Sequence, residues 1–338
     1  MPEAVLIVCP GRGTYGAAEL GYLARHHGDT PLLGTFDEAR ARRGAATISA
    51  LDGAAKFSTA LHGPGENSAP LIYSAGILDF LSLDPAKAKV VAVCGNSMGW
   101  YTALACAGAV SAEHGFAIAD AMGVNSGTGE AGGQLLLTLV GDDWVPNPAL
   151  RAQIDNLIGE IDGLHRSIDL GGMQLVAGSE AALAELGERL PALPGRASIR
   201  LAGHGPFHTP LMAESSRRAL AQLPADWFGG PQVPLIDGEG RIWRPFASGR
   251  EALHDYTFAT QILAPFDFTR ALTVALKEFA PDRIVLVGPG ETLGGAIGQV
   301  LVREQWLGMA DKADFAARQV DDPVLVAMNR PEQRALVA

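Results

Sequence analysis

Short, fully apolar runs alternate along the chain with longer segments whose apolar positions recur at helical spacing. Residues 5–9, 90–94 and 284–287 are continuous apolar runs, which are typical of strands buried on both faces of a sheet. Each run leads into a glycine-containing turn and then into a helical pattern. This order predicts an α/β fold with a mainly parallel sheet.

The same patterns predict the remaining elements of the larger unit. A further strand is predicted at 233–236, whereas residues 44–66 have mixed polarity and are predicted to be loop. The chain after residue 308 shows no pattern that assigns it a role. Helices are predicted at 17–27, 36–43, 70–83, 100–108, 112–125, 211–223, 266–279 and 292–304.

Between these parts lies a segment with a different element order. Strands at 134–140, 165–170, 174–177 and 198–201 and helices at 149–158 and 180–190 follow one another as βαββαβ, the ferredoxin-like pattern. We therefore predict three parts of the chain. They are a large α/β domain formed by residues 1–132 and 203–305, a ferredoxin-like subdomain at 133–202, and a C-terminal extension at 306–338.

Composition and charge narrow the function classes. Hydrophobic residues make up 48% and charged residues 19%, as in a globular protein, and the net charge of −11 argues against nucleic acid and anionic membranes as partners. No apolar stretch reaches the ~18 residues of a membrane span, and the N-terminus lacks the basic region of a signal peptide. Cys9, Cys94 and Cys106 lack metal-site spacing, so we expect buried free thiols, no metal and a cytoplasmic location.

A candidate nucleophile follows the second strand. Gly95-Asn96-Ser97-Met98-Gly99 fits G-x-S-x-G between a predicted strand and a predicted helix, the setting of a nucleophile elbow. The helix N-terminus would then direct the N–H of Met98 at an oxyanion formed beside Ser97.

A serine nucleophile needs a base, and two histidines lie on a turn-rich segment that could hold one. The segment at 203–212 contains His204 and His208. Residue chemistry alone does not choose between them.

Four blocks of the chain resemble malonyl-CoA:acyl-carrier-protein transacylases and the acyltransferase domains of polyketide synthases. CGNSMGWYTALACAG, at 94–108, is similar to the family's GHSLGEYSALVAAG block. FHTPLM, at 207–212, resembles F-H-S-x-L-M, which carries the catalytic histidine. PGRG at 10–13 and VGPG at 287–290 resemble the opening P-G-Q-G and the closing V-G-P-G. The blocks keep the family's order and spacing across residues 4–302.

The resemblance implies an α/β-hydrolase-like large domain with a ferredoxin-like insertion. It also implies catalysis by Ser97 and His208, in which an acyl group passes from coenzyme A to Ser97 and then to the phosphopantetheine thiol of an acyl carrier protein. Acyl-CoA and the carrier protein are thus the expected partners, in fatty-acid or polyketide synthesis, and no cofactor is expected to be permanently bound. The family orients its histidine with main-chain carbonyls, which we expect near Asp237 and Gly238. A triad that includes the Asp237 carboxylate is the alternative.

The chain departs from the family at positions that matter for specificity. The arginine that holds the malonyl carboxylate is replaced by Met122, which cannot pair with an anion, so malonyl specificity is in doubt. The glutamine that helps to form the oxyanion hole is replaced by Arg12. Arg12 is therefore predicted in the oxyanion hole with Met98, or pointing to solvent or pairing with an acidic residue, or binding the carboxylate from the other side of the site.

Other residues are expected to line an apolar-leaning acyl pocket. Asn96 and Trp100 stand where the family has His and Glu, and with Met122 and Phe207 they are predicted pocket residues, although Trp100 could equally pack in the core.

Three alternative functions stay open. The same acyl-enzyme would serve a hydrolase that removes acyl groups from carrier proteins, and a homologue could bind carrier proteins without catalysis. Residues 11–16 also fit the G-x-G-x-x-G of dinucleotide-binding proteins, but the acidic residue expected about 20 residues later at the end of a second strand is missing.

Overall fold

Two β-sheets organise the chain, of which the computed structural model describes residues 1–126, 132–190 and 198–338. The strands are β1 (Glu3–Cys9), β2 (Ala88–Gly95), β3 (Gly133–Thr138), β4 (Leu164–Leu170), β5 (Met173–Gly178), β6 (Ile199–Arg200), β7 (Leu235–Ile236), β8 (Ile242–Trp243), β9 (Phe266–Asp267), β10 (Arg283–Leu286) and β11 (Leu325–Ala327). The helices are α1 (Tyr22–His27), α2 (Pro31–Arg42), α3 (Ile48–Asp52), α4 (Thr59–His62), α5 (Gly65–Leu81), α6 (Gly99–Cys106), α7 (Ala112–Asn125), α8 (Pro148–Glu160), α9 (Glu180–Arg189), α10 (Ala213–Gln222), α11 (Arg250–Asp255), α12 (Gln261–Leu263), α13 (Phe268–Phe279), α14 (Gly294–Arg303), α15 (Lys312–Asp321) and α16 (Pro331–Arg334). A π-helical turn, Tyr256–Thr260, joins α11 to α12.

The larger sheet has the strand order β11-β10-β1-β2-β7-β8, and its strands are parallel except for β8. Successive residues of β1 point to opposite faces, so Val5 and Ile7 join one hydrophobic cluster while Leu6 and Val8 join another. Both faces are therefore buried, which explains the continuous apolar run. The predicted α/β class with a mainly parallel sheet is confirmed.

The smaller sheet has the order β6-β3-β5-β4-β9. Its first four strands pair antiparallel, and with α8 and α9 they follow the chain order βαββαβ. The short strand β9 adds to β4 in parallel, although it comes from outside residues 133–202. Asp267 of β9 also donates its N–H, at 2.7 Å, to the carbonyl of Gly238, which follows β7 of the larger sheet. The predicted domain boundaries stay a prediction.

Residues 44–66 were predicted as loop, but they hold α3, α4 and the start of α5. Pro70 hides the beginning of α5, because proline cannot donate to the carbonyl four residues earlier. That carbonyl belongs to Glu66, and Arg40 Nη1 donates to it instead at 2.7 Å.

Among the helices of the described ranges, none combines the length and apolar composition needed to cross a membrane.

The C-terminal residues 306–338, to which the sequence assigned no role, supply the edge strand β11 of the larger sheet. Beyond it, Arg334 pairs with Asp79, whose side chain is fully buried. The same carboxylate accepts hydrogen bonds from Tyr22 at 2.7 Å and from the N–H of Gly288 at 2.6 Å, and it contacts His27 Nε2 at 2.8 Å. The C-terminal segment is therefore tied to the core by a buried charge.

We predict that Arg334→Ala lowers the free energy of unfolding by about 3 kcal/mol, because it removes a partner from a buried carboxylate. Chemical denaturation measures the change. The control is Arg330→Ala, which breaks the half-exposed ion pair with Glu291 and is expected to cost less than about 1 kcal/mol. Equal losses in the two variants would contradict the role assigned to Asp79.

Candidate active site

Ser97 occupies the tight turn between β2 and α6, in a backbone conformation that residues other than glycine rarely adopt. Its φ is +55°, which is in the left-handed region. A Cβ at Gly95 would lie 2.3 Å from the carbonyl oxygen of Gly99, and one at Gly99 would lie 2.2 Å from that of Cys9. Both glycines of the motif are thus required by close backbone contact, and the turn has the form of a nucleophile elbow.

His208 reaches Ser97 from the segment that follows the smaller sheet. The Ser97 hydroxyl donates a hydrogen bond to His208 Nε2 at 2.8 Å. The histidine is 3% exposed and has a φ of +59°, so burial and backbone shape both hold its ring in place. The two residues predicted as catalytic are therefore brought together.

The other ring nitrogen of His208 contacts a main-chain carbonyl. His208 Nδ1 lies 2.7 Å from the carbonyl oxygen of Gln261. A carbonyl can only accept, so Nδ1 carries the proton and Nε2 presents its lone pair to Ser97. In a continuing helix, the N–H of residue 265 would donate to this carbonyl. Residue 265 is a proline and has no N–H, so the carbonyl is left to accept from His208.

The predicted position of this carbonyl, near Asp237 and Gly238, was wrong. Asp237 instead closes the turn between β7 and β8, where it accepts hydrogen bonds from the N–H of Glu239, the N–H of Arg241 and Trp243 Nε1. Burial raises the pKa of this carboxyl. With these donors around it, Asp237 takes no part in a triad.

Gly238 influences His208 only through an aromatic ring. Its N–H donates to the Tyr256 hydroxyl at 2.8 Å, and a Cβ on Gly238 would lie 2.5 Å from the ring of Phe266. That ring packs against the His208 imidazole, with centroids 5.4 Å apart. Gly238 thus leaves room for an apolar wall beside the base.

Burial also sets the charge of the base. Removal from water lowers the pKa of His208 to about 4, and the hydrogen bond to Gln261 offsets this only in part. The imidazole is therefore neutral at neutral pH, which is the form that can accept the Ser97 proton.

His204, the alternative base, is occupied elsewhere. Its Nδ1 lies 2.9 Å from Oε1 of Gln134, on the first strand of the smaller sheet. Burial, followed by the nearby charges of Arg12 and protonated His208, lowers its pKa to about 3. The histidine that contacts the Ser97 hydroxyl is therefore His208.

A cavity of about 60 Å³ lies beside Ser97, and its surface is mostly apolar. Among the predicted site residues, Arg12, Met98, Met122 and Phe207 line it together with the catalytic pair. The full lining is Arg12, Ala69, Ser97, Met98, Tyr101, Met122, Gly123, Ser126, Phe207, His208, Met212, Ser215, Gln261 and Ile262.

Two predicted pocket residues lie outside this lining. Trp100 is fully buried in the core, where its Nε1 donates to the Thr257 hydroxyl at 3.0 Å and its ring packs on Tyr256. The helix turns the residue after Gly99 away from the cavity. Asn96 is buried below the elbow, near the backbone of Gly11. The prediction for these two side chains was wrong.

Gln261 is the important residue that the sequence analysis missed. Besides its carbonyl bond to His208, its side-chain Nε2 donates to the carbonyl of Ser97 at 3.1 Å, so one residue holds both members of the pair. The available signal was Pro265 four residues later, which marks an unused helical carbonyl. Among the described residues, no group of three or more His, Cys, Asp or Glu side chains could hold a metal ion.

No protein-family model matches the chain. By sequence, it is 22% identical over 309 residues to the malonyl CoA-acyl carrier protein transacylase of Salmonella typhimurium. This alignment covers 87% of this chain and 92% of the relative. The resemblance predicted from the motifs is thus confirmed.

Solved structures give the same picture. An acyl-carrier-protein S-malonyltransferase from Burkholderia pseudomallei superposes with a TM-score of 0.75 at 19% identity, over 99% of each chain. The malonyl-CoA:acyl carrier protein transacylase of Xanthomonas oryzae gives 0.72 at 22% identity, over 99% of this chain and 98% of the other. A malonyl-transacylase in complex with its type II PKS acyl-carrier protein gives 0.74 at 19% identity, over 98% of each. At these identities the likeness establishes the fold.

We predict that the His208 imidazole titrates near pH 4, because burial disfavours its charged form. Histidine-selective NMR of the folded protein over pH 3 to 8 measures this, and His208→Asn assigns the signal. The ring should stay neutral as the pH falls until about 4 and become protonated only below that value. Titration at the ordinary value of about 6.5 would contradict the burial argument.

Proposed function

We propose that this chain transfers an acyl group from coenzyme A to the pantetheine thiol of an acyl carrier protein, through an ester on Ser97. The observation that carries the proposal is the Ser97 hydroxyl bonded to the neutral, buried His208, whose second nitrogen is fixed by the Gln261 carbonyl. A nucleophile, a base and a group that orients the base are the parts that covalent acyl transfer needs.

In the first half-reaction, His208 Nε2 takes the Ser97 proton while Oγ attacks the thioester carbonyl. The tetrahedral intermediate places negative charge on the former carbonyl oxygen. When it collapses, the carbon–sulfur bond breaks, and the leaving thiolate receives the proton from His208. The products are free coenzyme A and an acyl ester on Ser97.

The N-terminus of α6 is the natural site for the oxyanion. Met98 directly follows the nucleophile and caps the helix, so its N–H belongs to the end that favours negative charge. Arg12 lines the same cavity, in the sequence position where the resemblance predicts an oxyanion-hole side chain.

In the second half-reaction, a carrier-protein thiol gives its proton to His208 and attacks the ester. The thioester to the carrier forms as the bond to Ser97 Oγ breaks, and His208 returns the proton to the serine. The likeness to a transacylase in complex with its carrier protein, and to relatives named malonyltransferases, supports this choice of acceptor.

The site also bears on the alternatives. A non-catalytic homologue would have no need of the bonded Ser97 and His208 pair or of the strained elbow, so their presence supports catalysis. A hydrolase would share the acyl-enzyme and differ only in using water for the second step. The Met122 side chain lies in the cavity wall and supplies no partner for a malonyl carboxylate.

We expect the protein to gain the mass of one acyl group when it is mixed with an acyl-CoA, and to lose it when pantetheinylated carrier protein is added. Intact-mass spectrometry of both proteins measures the transfer. Ser97→Ala should show no adduct, and His208→Asn should acylate at least ~100-fold more slowly, because general-base catalysis contributes that much.

The outcomes separate the candidates. Loss of the adduct with acyl-carrier protein as the product supports transfer. Loss to free acid at the same rate with and without carrier protein would replace transfer by hydrolysis. An adduct of unchanged size on Ser97→Ala would remove Ser97 from the mechanism.

A further inference from the structure

Arg12 is a half-buried charged side chain, and its hydrogen bonds use only one of the two terminal nitrogens of its guanidinium group. Its Nη2 donates to the carbonyl oxygens of Gly63 at 3.0 Å and Gly203 at 3.2 Å. Its Nη1 is buried and has no hydrogen-bond partner among the described residues. The ring of Phe207 lies 5.8 Å from the guanidinium carbon.

The partners of Arg12 are neutral. Among the described residues no carboxylate forms an ion pair with it, whereas Arg40, which is fully buried, pairs with Asp120. Burial lowers the pKa of Arg12 to about 10, so the group still carries its charge at neutral pH. A charged nitrogen that is shielded from water and has no hydrogen-bond acceptor is costly, and buried charged groups are usually paired. We therefore expect a bound ligand to supply the anion that pairs with Arg12.

The guanidinium group lies close to the Met122 end of the cavity. Gly63, which accepts one of its hydrogen bonds, is two residues before Gly65. Gly65 packs so closely on α7 that a Cβ at Gly123 would lie 2.4 Å from its carbonyl oxygen. Gly123 follows Met122, and both line the cavity with Arg12.

The other described residues of the cavity lining offer an anion no second positive charge. Of the described residues that line it, Arg12 is the one that is charged at neutral pH, because burial keeps His208 neutral. The volume of about 60 Å³ admits only a few non-hydrogen atoms beyond the reacting carbonyl. A ligand that fits is short and ends in a negative group.

We propose that Arg12 determines acyl specificity by binding, through Nη1, the terminal carboxylate of a short carboxyacyl thioester such as malonyl-CoA. This inference rests on the proposed acyl transfer through Ser97. It assigns the anion site to the opening turn after β1, which lines the same cavity as Met122. The carboxylate would accept a hydrogen bond from Nη1, while the apolar wall encloses the methylene group.

An oxyanion role for Arg12 would have a different signature. The oxyanion forms with every acyl group, so its loss lowers all rates together. The terminal carboxylate exists only in the carboxyacyl substrate. The ratio of kcat/KM for malonyl-CoA to that for acetyl-CoA therefore separates the two roles.

The test compares the wild type with Arg12→Gln, which keeps N–H donors and removes the charge, and with Arg12→Lys, which keeps the charge. Rates of Ser97 acylation by malonyl-CoA and acetyl-CoA are measured by intact mass. The matched control is Arg166→Gln. Arg166 lies on β4 of the smaller sheet, is partly exposed and pairs with Asp155.

We expect the malonyl-to-acetyl ratio to fall about 30-fold or more in Arg12→Gln, as for truncation of a buried charge pair. It should fall less in Arg12→Lys and stay unchanged in Arg166→Gln. If Arg12→Gln does not fold, Kd values of malonyl-CoA and acetyl-CoA for the Ser97→Ala protein, with and without Arg12→Lys, give the same comparison.

Two results would overturn the inference. An unchanged ratio with both rates reduced would assign Arg12 to the oxyanion, and a wild type that accepts acetyl-CoA but not malonyl-CoA would show that no carboxylate site exists. In both cases the proposed acyl transfer stands. Absence of any adduct with either thioester would instead count against the proposed function itself.

Discussion

The close approach of the backbone at the elbow is the constraint on which the site depends. Helix α6 begins so close to the end of β2 and to the end of β1 that Gly95 and Gly99 cannot carry side chains, and Ser97 is held at a φ of +55°. The direction of the hydroxyl is thus set mainly by main-chain packing and only secondarily by its rotamer. The base and the cavity wall must then be brought to a fixed point, which His208 does from the segment after the smaller sheet.

Features that depend on local pattern could be predicted from the sequence. The buried strands appear as unbroken apolar runs because both faces of the larger sheet are covered. Ser97 could be identified because a glycine-flanked serine between a strand and a helix is a local signature. His208 needed the family resemblance, because its distance from Ser97 depends on how segments 111 residues apart fold together.

Features that depend on distant contacts were missed or misplaced. The carbonyl that orients His208 comes from Gln261, in a helical stretch that the sequence patterns did not reveal, and Asp237 serves a turn instead. Trp100 is close in sequence to cavity residues, but its position on α6 directs its side chain into the core. The start of α5 was hidden because Arg40, remote in sequence, donates to the carbonyl of Glu66, to which Pro70 cannot donate.

The main-chain carbonyl beside His208 also bears on which acceptor the proposed reaction would favour. A carbonyl bears only a partial charge and stabilises an imidazolium less than a carboxylate would, and burial makes the ring a weak base. Such a base helps an acidic nucleophile far more than a poorly acidic one, and a thiol has a pKa of about 8.5 whereas water has one of about 15.7. In the proposed reaction, this difference in acidity would favour the carrier-protein thiol over water as the acceptor of an acyl group from Ser97.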